Sequence, residues 1–176
     1  KNITMRANTM FGHATSSAFL GKVSQGDNNQ NCTQISFANN VFSESEGEMD
    51  RFSDSAKSET GDSHIHHNLY WNAGSEMPDA GSDVFTFDND AAAIIADPKL
   101  SYSVASPILP RLTSNGLQGN YATIRDAFVS IVDTYAKPGS GSGLIDKADP
   151  TDMPADDILG RPRGPQPDIG AYELMP

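Results

Sequence analysis

Three short segments of the chain lie over one another: ITMRANTM (residues 3–10), ISFANNVF (residues 35–42) and SHIHHNLY (residues 63–70). Each carries an asparagine at the same place, Asn8, Asn40 and Asn68, at spacings of 32 and 28 residues. Ahead of the asparagine, Ile3, Met5, Ile35, Phe37 and Ile65 alternate with Thr4, Arg6, Ser36, His64 and His66. A period of two is that of a strand with one face inward. Behind the asparagine a second inward group begins, Thr9-Met10-Phe11, Val41-Phe42 and Leu69-Tyr70-Trp71, so the chain must bend at the asparagine and resume as a strand. Asparagine tolerates left-handed backbone, and its amide both donates to and accepts from an equivalent amide in a neighbouring unit. Strand, Asn corner, strand and polar loop, recurring at about 30 residues, predict a solenoid whose units stack over one apolar core. The expected fold class is all-β, a right-handed parallel β-helix. The competing architecture is a sandwich in which three such strings recur by chance.

Composition narrows the partners. The 176 residues include 12 Lys+Arg against 23 Asp+Glu, a net charge of -11, which makes nucleic acid a poor partner. With 37% hydrophobic residues the chain reads as many short elements joined by polar turns and not as a helical bundle. No apolar run approaches the roughly 20 residues of a membrane-spanning helix. The single cysteine, Cys32, forms neither an internal disulfide nor a thiolate metal site.

Three strings follow in the carboxy-terminal part: DPKL (residues 97–100), KPGSGSGLID (residues 137–146) and GRPRGPQPDIGAYE (residues 160–173). Their order resembles the carboxy-terminal region of secreted bacterial right-handed β-helix proteins of the pectate-lyase-like superfamily. The resemblance covers roughly residues 95–174, with residues 101–136 as an insertion between the first two strings. It implies a β-helix exported from the cell or held at its surface, in a family that includes polysaccharide lyases, glycosidases and surface proteins. Calcium is the cation often met there.

Within the insertion, Ile124, Phe128, Ile131 and Tyr135, with Ala127 and Val132 beside them, recur at helical spacing, and Asn120 stands where a cap belongs. Residues 1–100 are thus expected to form coils, and residues 101–176 a cap with an amphipathic helix near 121–136 and an extended tail. The first residues open inside a repeat unit. They would expose an apolar coil, so further coils or a complementary chain are expected as partner.

The outward columns Thr4/Ser36/His64 and Arg6/Ala38/His66 put Arg6, His64 and His66 on one face of an otherwise acidic protein. Such a face suits an acidic polysaccharide. In β-elimination a cation neutralises the uronate carboxylate, a base removes the neighbouring proton and an acid assists the leaving oxygen. Arg6 fits the first role and His64 or His66 the second, with Tyr70 or Lys22 as acid. Lys22, Tyr70 and Trp71 are candidate substrate-binding residues, the aromatic rings by stacking on sugars. Solvated surface histidines are the plainer alternative.

His64 and His66, with His67 adjacent, also present imidazoles at metal-ligand spacing, but no third ligand can be read from the sequence, and no metal set is assigned. Oxygen ligands for calcium are concentrated in residues 43–50, with Asp54, Glu59 and Asp62, and again at Asp79, Asp83, Asp88 and Asp90. Solvated surface competes with each. The expected function is that of the carboxy-terminal part of a polysaccharide-active protein, a lyase or glycosidase. A non-catalytic adhesin or assembly module is the alternative.

Overall fold

The computed structural model describes residues 3–12, 35–58, 63–78, 80–101 and 110–175. Six four-residue strands come in three pairs: β1 (Ile3–Arg6) and β2 (Thr9–Gly12), β3 (Ile35–Ala38) and β4 (Val41–Glu44), β5 (Ser63–His66) and β6 (Leu69–Asn72). The first members build a parallel sheet in the order β1-β3-β5. The second members build another, β2-β4-β6, to which the short β7 (Ile94–Ile95) adds. Thr4, Ser36 and His64 are register partners, as are Arg6, Ala38 and His66, so superposing the three asparagines predicts the pairing residue for residue.

The corners differ from expectation in one detail. The left-handed residue is the one before each asparagine: Ala7 (φ 54°), Asn39 (φ 56°) and His67 (φ 54°). This frees the asparagine side chain for the stack. Asn8 Nδ2 donates to Asn40 Oδ1 at 2.9 Å, and Asn40 Nδ2 donates to Asn68 Oδ1 at 2.9 Å. Each acceptor oxygen also takes the backbone N–H of the preceding asparagine in the ladder, at 3.1 Å and 2.9 Å. Asp90 closes the ladder, its Oδ2 accepting from Asn68 Nδ2 at 2.7 Å, Asn68 N at 3.0 Å and the Tyr70 hydroxyl at 3.0 Å.

Core residues follow the same columns. Phe42 and Tyr70 stack with ring centroids 5.4 Å apart and enclose Phe52 edge-on, with Met49 and Met77 alongside. On the first sheet Ile35, Phe37 and Ile65 pack with Met5 and Phe85. The opposite parity of the second sheet, Val41 and Leu69, packs on Leu144 and Ile169 of the carboxy-terminal segment. Both faces of that sheet are therefore covered.

The carboxy-terminal segment lies along the stacked units. Gly139 N and Gly143 N donate to the carbonyls of Lys99 and Asp97, Ile169 N to Leu144, and Gly170 N to Asn39. A hairpin of β8 (Leu112–Thr113) and β9 (Gly116–Leu117) precedes the one α-helix found among the described residues, α1 (Ile124–Tyr135). Its cap is Thr123, not Asn120: the Thr123 hydroxyl accepts from Asp126 N while Asp126 accepts from Thr123 N, a capping box. Asn120 is left-handed at φ 59°. The buried stripe is Ala127 and Val132, while Ile124 is 79% and Phe128 38% exposed, so the face is rotated from the predicted one. Tyr135 at the end of the helix stacks with Phe11 of the first unit, ring centroids 6.2 Å apart. Among the described residues no helix is long and apolar enough to cross a membrane.

Candidate functional site

β5 ends at His66, and consecutive side chains of a strand leave on opposite faces. The left-handed turn at His67 cancels that alternation. It swings the second imidazole back, so that the two Nδ1 atoms lie 3.2 Å apart with ring planes at 88°. His66 Nε2 lies 2.9 Å from Asp152 Oδ2. A carboxylate accepts, so this contact puts the ring hydrogen on Nε2 and leaves a lone pair on His66 Nδ1. Asp149 Oδ2 lies 3.7 Å from that same nitrogen.

Both aspartates belong to a single 3-10 turn, Pro150–Asp152, capped by Asp149. Asp149 Oδ1 accepts from the Thr151 N–H at 2.9 Å and the Thr151 hydroxyl at 2.8 Å, leaving Oδ2 towards the histidines. The Thr151 backbone and hydroxyl hold this carboxyl below its ordinary pKa. Burial opposes them, and the charges of His67 and His66 assist. The turn is docked by the middle corner: Asn39 Nδ2 donates to the carbonyls of Asp149 at 3.0 Å and Asp152 at 3.3 Å, and Asn39 Oδ1 accepts from Asp149 N at 2.8 Å. Among the described residues, His66, His67 and Asp149 are the group of three ligating side chains that converge on one point, their ligand atoms all within 4.8 Å.

The residues singled out from the sequence are dispersed by the fold. Arg6 and His64 are exposed, on the columns that alternation assigned. Arg6 lines a pocket of about 430 Å³ that also takes in Pro154, Asp156, Asp157 and Ile158. His66 is half-buried, and Ala38, which separates it from Arg6 in their column, is fully buried. Tyr70 has no exposed surface, which removes it as a sugar-stacking ring or proton donor to a surface-bound chain. Its phenol is pushed well above the ordinary value by burial and by the neighbouring Asp90 charge. Trp71 is half-buried against the cluster of Val41, Leu69, Leu144 and Ile169. Lys22 lies outside the described residues.

The expected calcium ligands are largely engaged by the protein. Glu44 is fully buried, its carboxylate accepting N–H groups from Glu46, Gly47 and Glu48. Asp54 pairs with Arg51, and Asp90 closes the asparagine ladder. Asp88 is held below its usual range first by the Thr86 hydroxyl, then, against burial, by Gly81 N and Lys57. Glu59, Asp62 and Asp79 lie outside the described residues.

The recognisable tail string is occupied as well. Asp168 accepts from Asp146 N and Leu174 N. Ile169 enters the core, and the Tyr172 hydroxyl donates to Asp133. Glu173 accepts from Arg163 Nη1 and from the backbone of Gly164 and Asp168. The string thus acts as a clasp on the carboxy-terminal segment. No known family model matches the chain, and no curated protein matches it.

Proposed function

We propose that the stacked units are carboxy-terminal coils of a right-handed parallel β-helix, exported from the cell, that acts on an acidic polysaccharide as a lyase or glycosidase. The observation that carries this reading is the register of β1, β3 and β5. It sets Arg6 and His66 in one column and His64 in the next, on a face two strand steps, or about 10 Å, across. A guanidinium at one end and imidazoles at the other suit a chain of carboxylated sugars, with Arg6 pairing a uronate carboxylate and the exposed His64 accepting a proton, since both ring nitrogens of His66 are engaged by Asp152 and His67. A partner that continues the sheet beyond β1 fits the edge there, where Ile3 is 44% exposed while its register partner Ile35 is 1% exposed.

The alternative, a non-catalytic surface or assembly module, is favoured by the engagement of His66 with Asp152 and by the complete burial of Tyr70. Turnover distinguishes the two. The chain is incubated with polygalacturonate and alginate while unsaturated products and new reducing ends are followed. The enzyme reading predicts one of these signals, lowered at least tenfold in Arg6→Ala and His64→Ala. Binding without turnover supports the module, and unchanged turnover in both variants removes Arg6 and His64 from the site.

A further inference from the structure

We propose that His66 Nδ1, His67 Nδ1 and Asp149 Oδ2 form a binding site for a divalent transition-metal ion of the zinc type, with a fourth position open to water or a ligand oxygen. Two imidazoles and one carboxylate are the donor set of zinc and its first-row neighbours. Calcium and magnesium take oxygen donors. An ion about 2.0–2.1 Å from two nitrogens in a tetrahedral site holds them about 3.3 Å apart. The 3.2 Å between the two Nδ1 atoms is close to that edge. Asp149 Oδ2, 3.7 Å from His66 Nδ1, needs a small inward shift to complete the third corner.

The surroundings are those of a ligand set held in place. Asp152 accepts from His66 Nε2, the outer-shell carboxylate that fixes the ring and its tautomer with the lone pair directed inward. Thr151 ties the other oxygen of Asp149, and Asn39 fastens the whole turn to the stack. Asp149 and Asp152 both face the neutral His66 ring and, among the described residues, pair with no lysine or arginine, so a cation would relieve two neighbouring carboxylates. Without metal, His67 Nδ1–H donates to His66 Nδ1. Binding moves that hydrogen to His67 Nε2, and both rings ligate in the neutral form. His66, His67 and Asp149 are all partly exposed, so the open fourth position is reachable from solvent.

The site stands whether or not the protein acts on polysaccharide, and its test is independent of turnover. Chelator-treated protein is titrated with Zn²⁺ against a chromophoric competitor, and with Co²⁺ while visible absorption is followed. One equivalent is expected to bind, with the intense visible bands of four-coordinate Co²⁺. His67→Ala and Asp149→Asn should each weaken Zn²⁺ at least tenfold. Asp152→Asn, a positioning variant, should weaken it by about 10–100-fold. His64→Ala, an exposed histidine in the neighbouring column, should bind as the parent does. Alanine is compatible with the corner at 67, because Ala7 holds the equivalent place with φ 54°. On the unaltered chain, Zn²⁺ should shift the ring ¹⁵N resonances of His66 and His67 and leave those of His64 in place. Absence of stoichiometric binding, or parent-like binding by both His67→Ala and Asp149→Asn, would overturn the site.

Discussion

Asp157 has its side chain fully buried and accepts from the Arg161 guanidinium, from the backbone of Leu159 and Arg161, and from Glu173 N. Burial alone would raise its pKa. The Arg161 side chain and backbone donors outweigh burial, and the carboxyl is held below its ordinary value. In the unfolded chain it titrates at about 3.9. Because the folded pKa is the lower one, its contribution is present above about pH 3.9 and is lost as pH falls through the folded value. Asp157→Asn is expected to cost about 3 kcal/mol at pH 7. It should also reduce the loss of stability between pH 4 and 2, measured by urea unfolding at a series of pH values. A variant as acid-sensitive as the parent would place the titrating group elsewhere. Asn68 is the second residue on which much depends. It links Asn40 to Asp90 and donates to the carbonyls of Phe37 and His66. Asn68→Ala leaves the Asn40 donors and Asp90 without their fully buried partner and is expected to cost about 3 kcal/mol. Asn8→Ala, at the exposed end of the ladder, should cost about 1 kcal/mol. Equal losses at both ends would show that the ladder does not act through burial.

Among the elements, the strands were readable and the joints were not. Alternation around three asparagines predicts six strand segments and their register, because a one-residue slip would turn Phe37 and Ile65 outward. Which corner residue turns left-handed is decided by the stack. Once the asparagine amides bond to one another, the backbone reversal falls to Ala7, Asn39 and His67. The helix was legible from its period. Its cap is Thr123 and not Asn120 because the Thr123–Asp126 box closes on the first turn of the helix itself, and its buried face is set by residues distant in sequence, Phe11 against Tyr135 and Tyr172 against Asp133. Thr123→Ala is expected to lower stability by about 1 kcal/mol, or about 3 °C in Tm for a chain of this size. Gly170 is the tightest joint of the tail. It is left-handed at φ 95°, and an added Cβ would come within 2.6 Å of Thr9 Oγ1 and 2.8 Å of Val41 Cγ2. Gly170→Ala should therefore cost about 2 kcal/mol or more and loosen the tail. Hydrogen exchange checks this: the Ala171 N–H, which donates to Thr9 Oγ1 at 3.0 Å, should lose protection before the amides of β3 and β4.

At the scale of the whole molecule, the face bearing Arg6, His64 and His66 could be read from the sequence, because it follows from strand parity alone. Its partners could not. Asp152 lies 86 residues from His66 along the chain, and nothing local to residues 149–152 beyond an Asp-Pro turn announces where that turn docks. The face is divided between an exposed Arg6 and an engaged His66, and Ala38 between them is fully buried. Binding of an acidic glycan across this face is the claim on which the functional account rests. The most direct measurement is the electrophoretic retardation of the native chain in gels containing polygalacturonate or alginate, against a neutral glucan. The account predicts retardation by the acidic polymers alone, despite the net charge of -11, weakening with salt and largely lost in Arg6→Ala and His64→Ala. Equal mobility in all gels, or retardation unchanged by both substitutions, would contradict it.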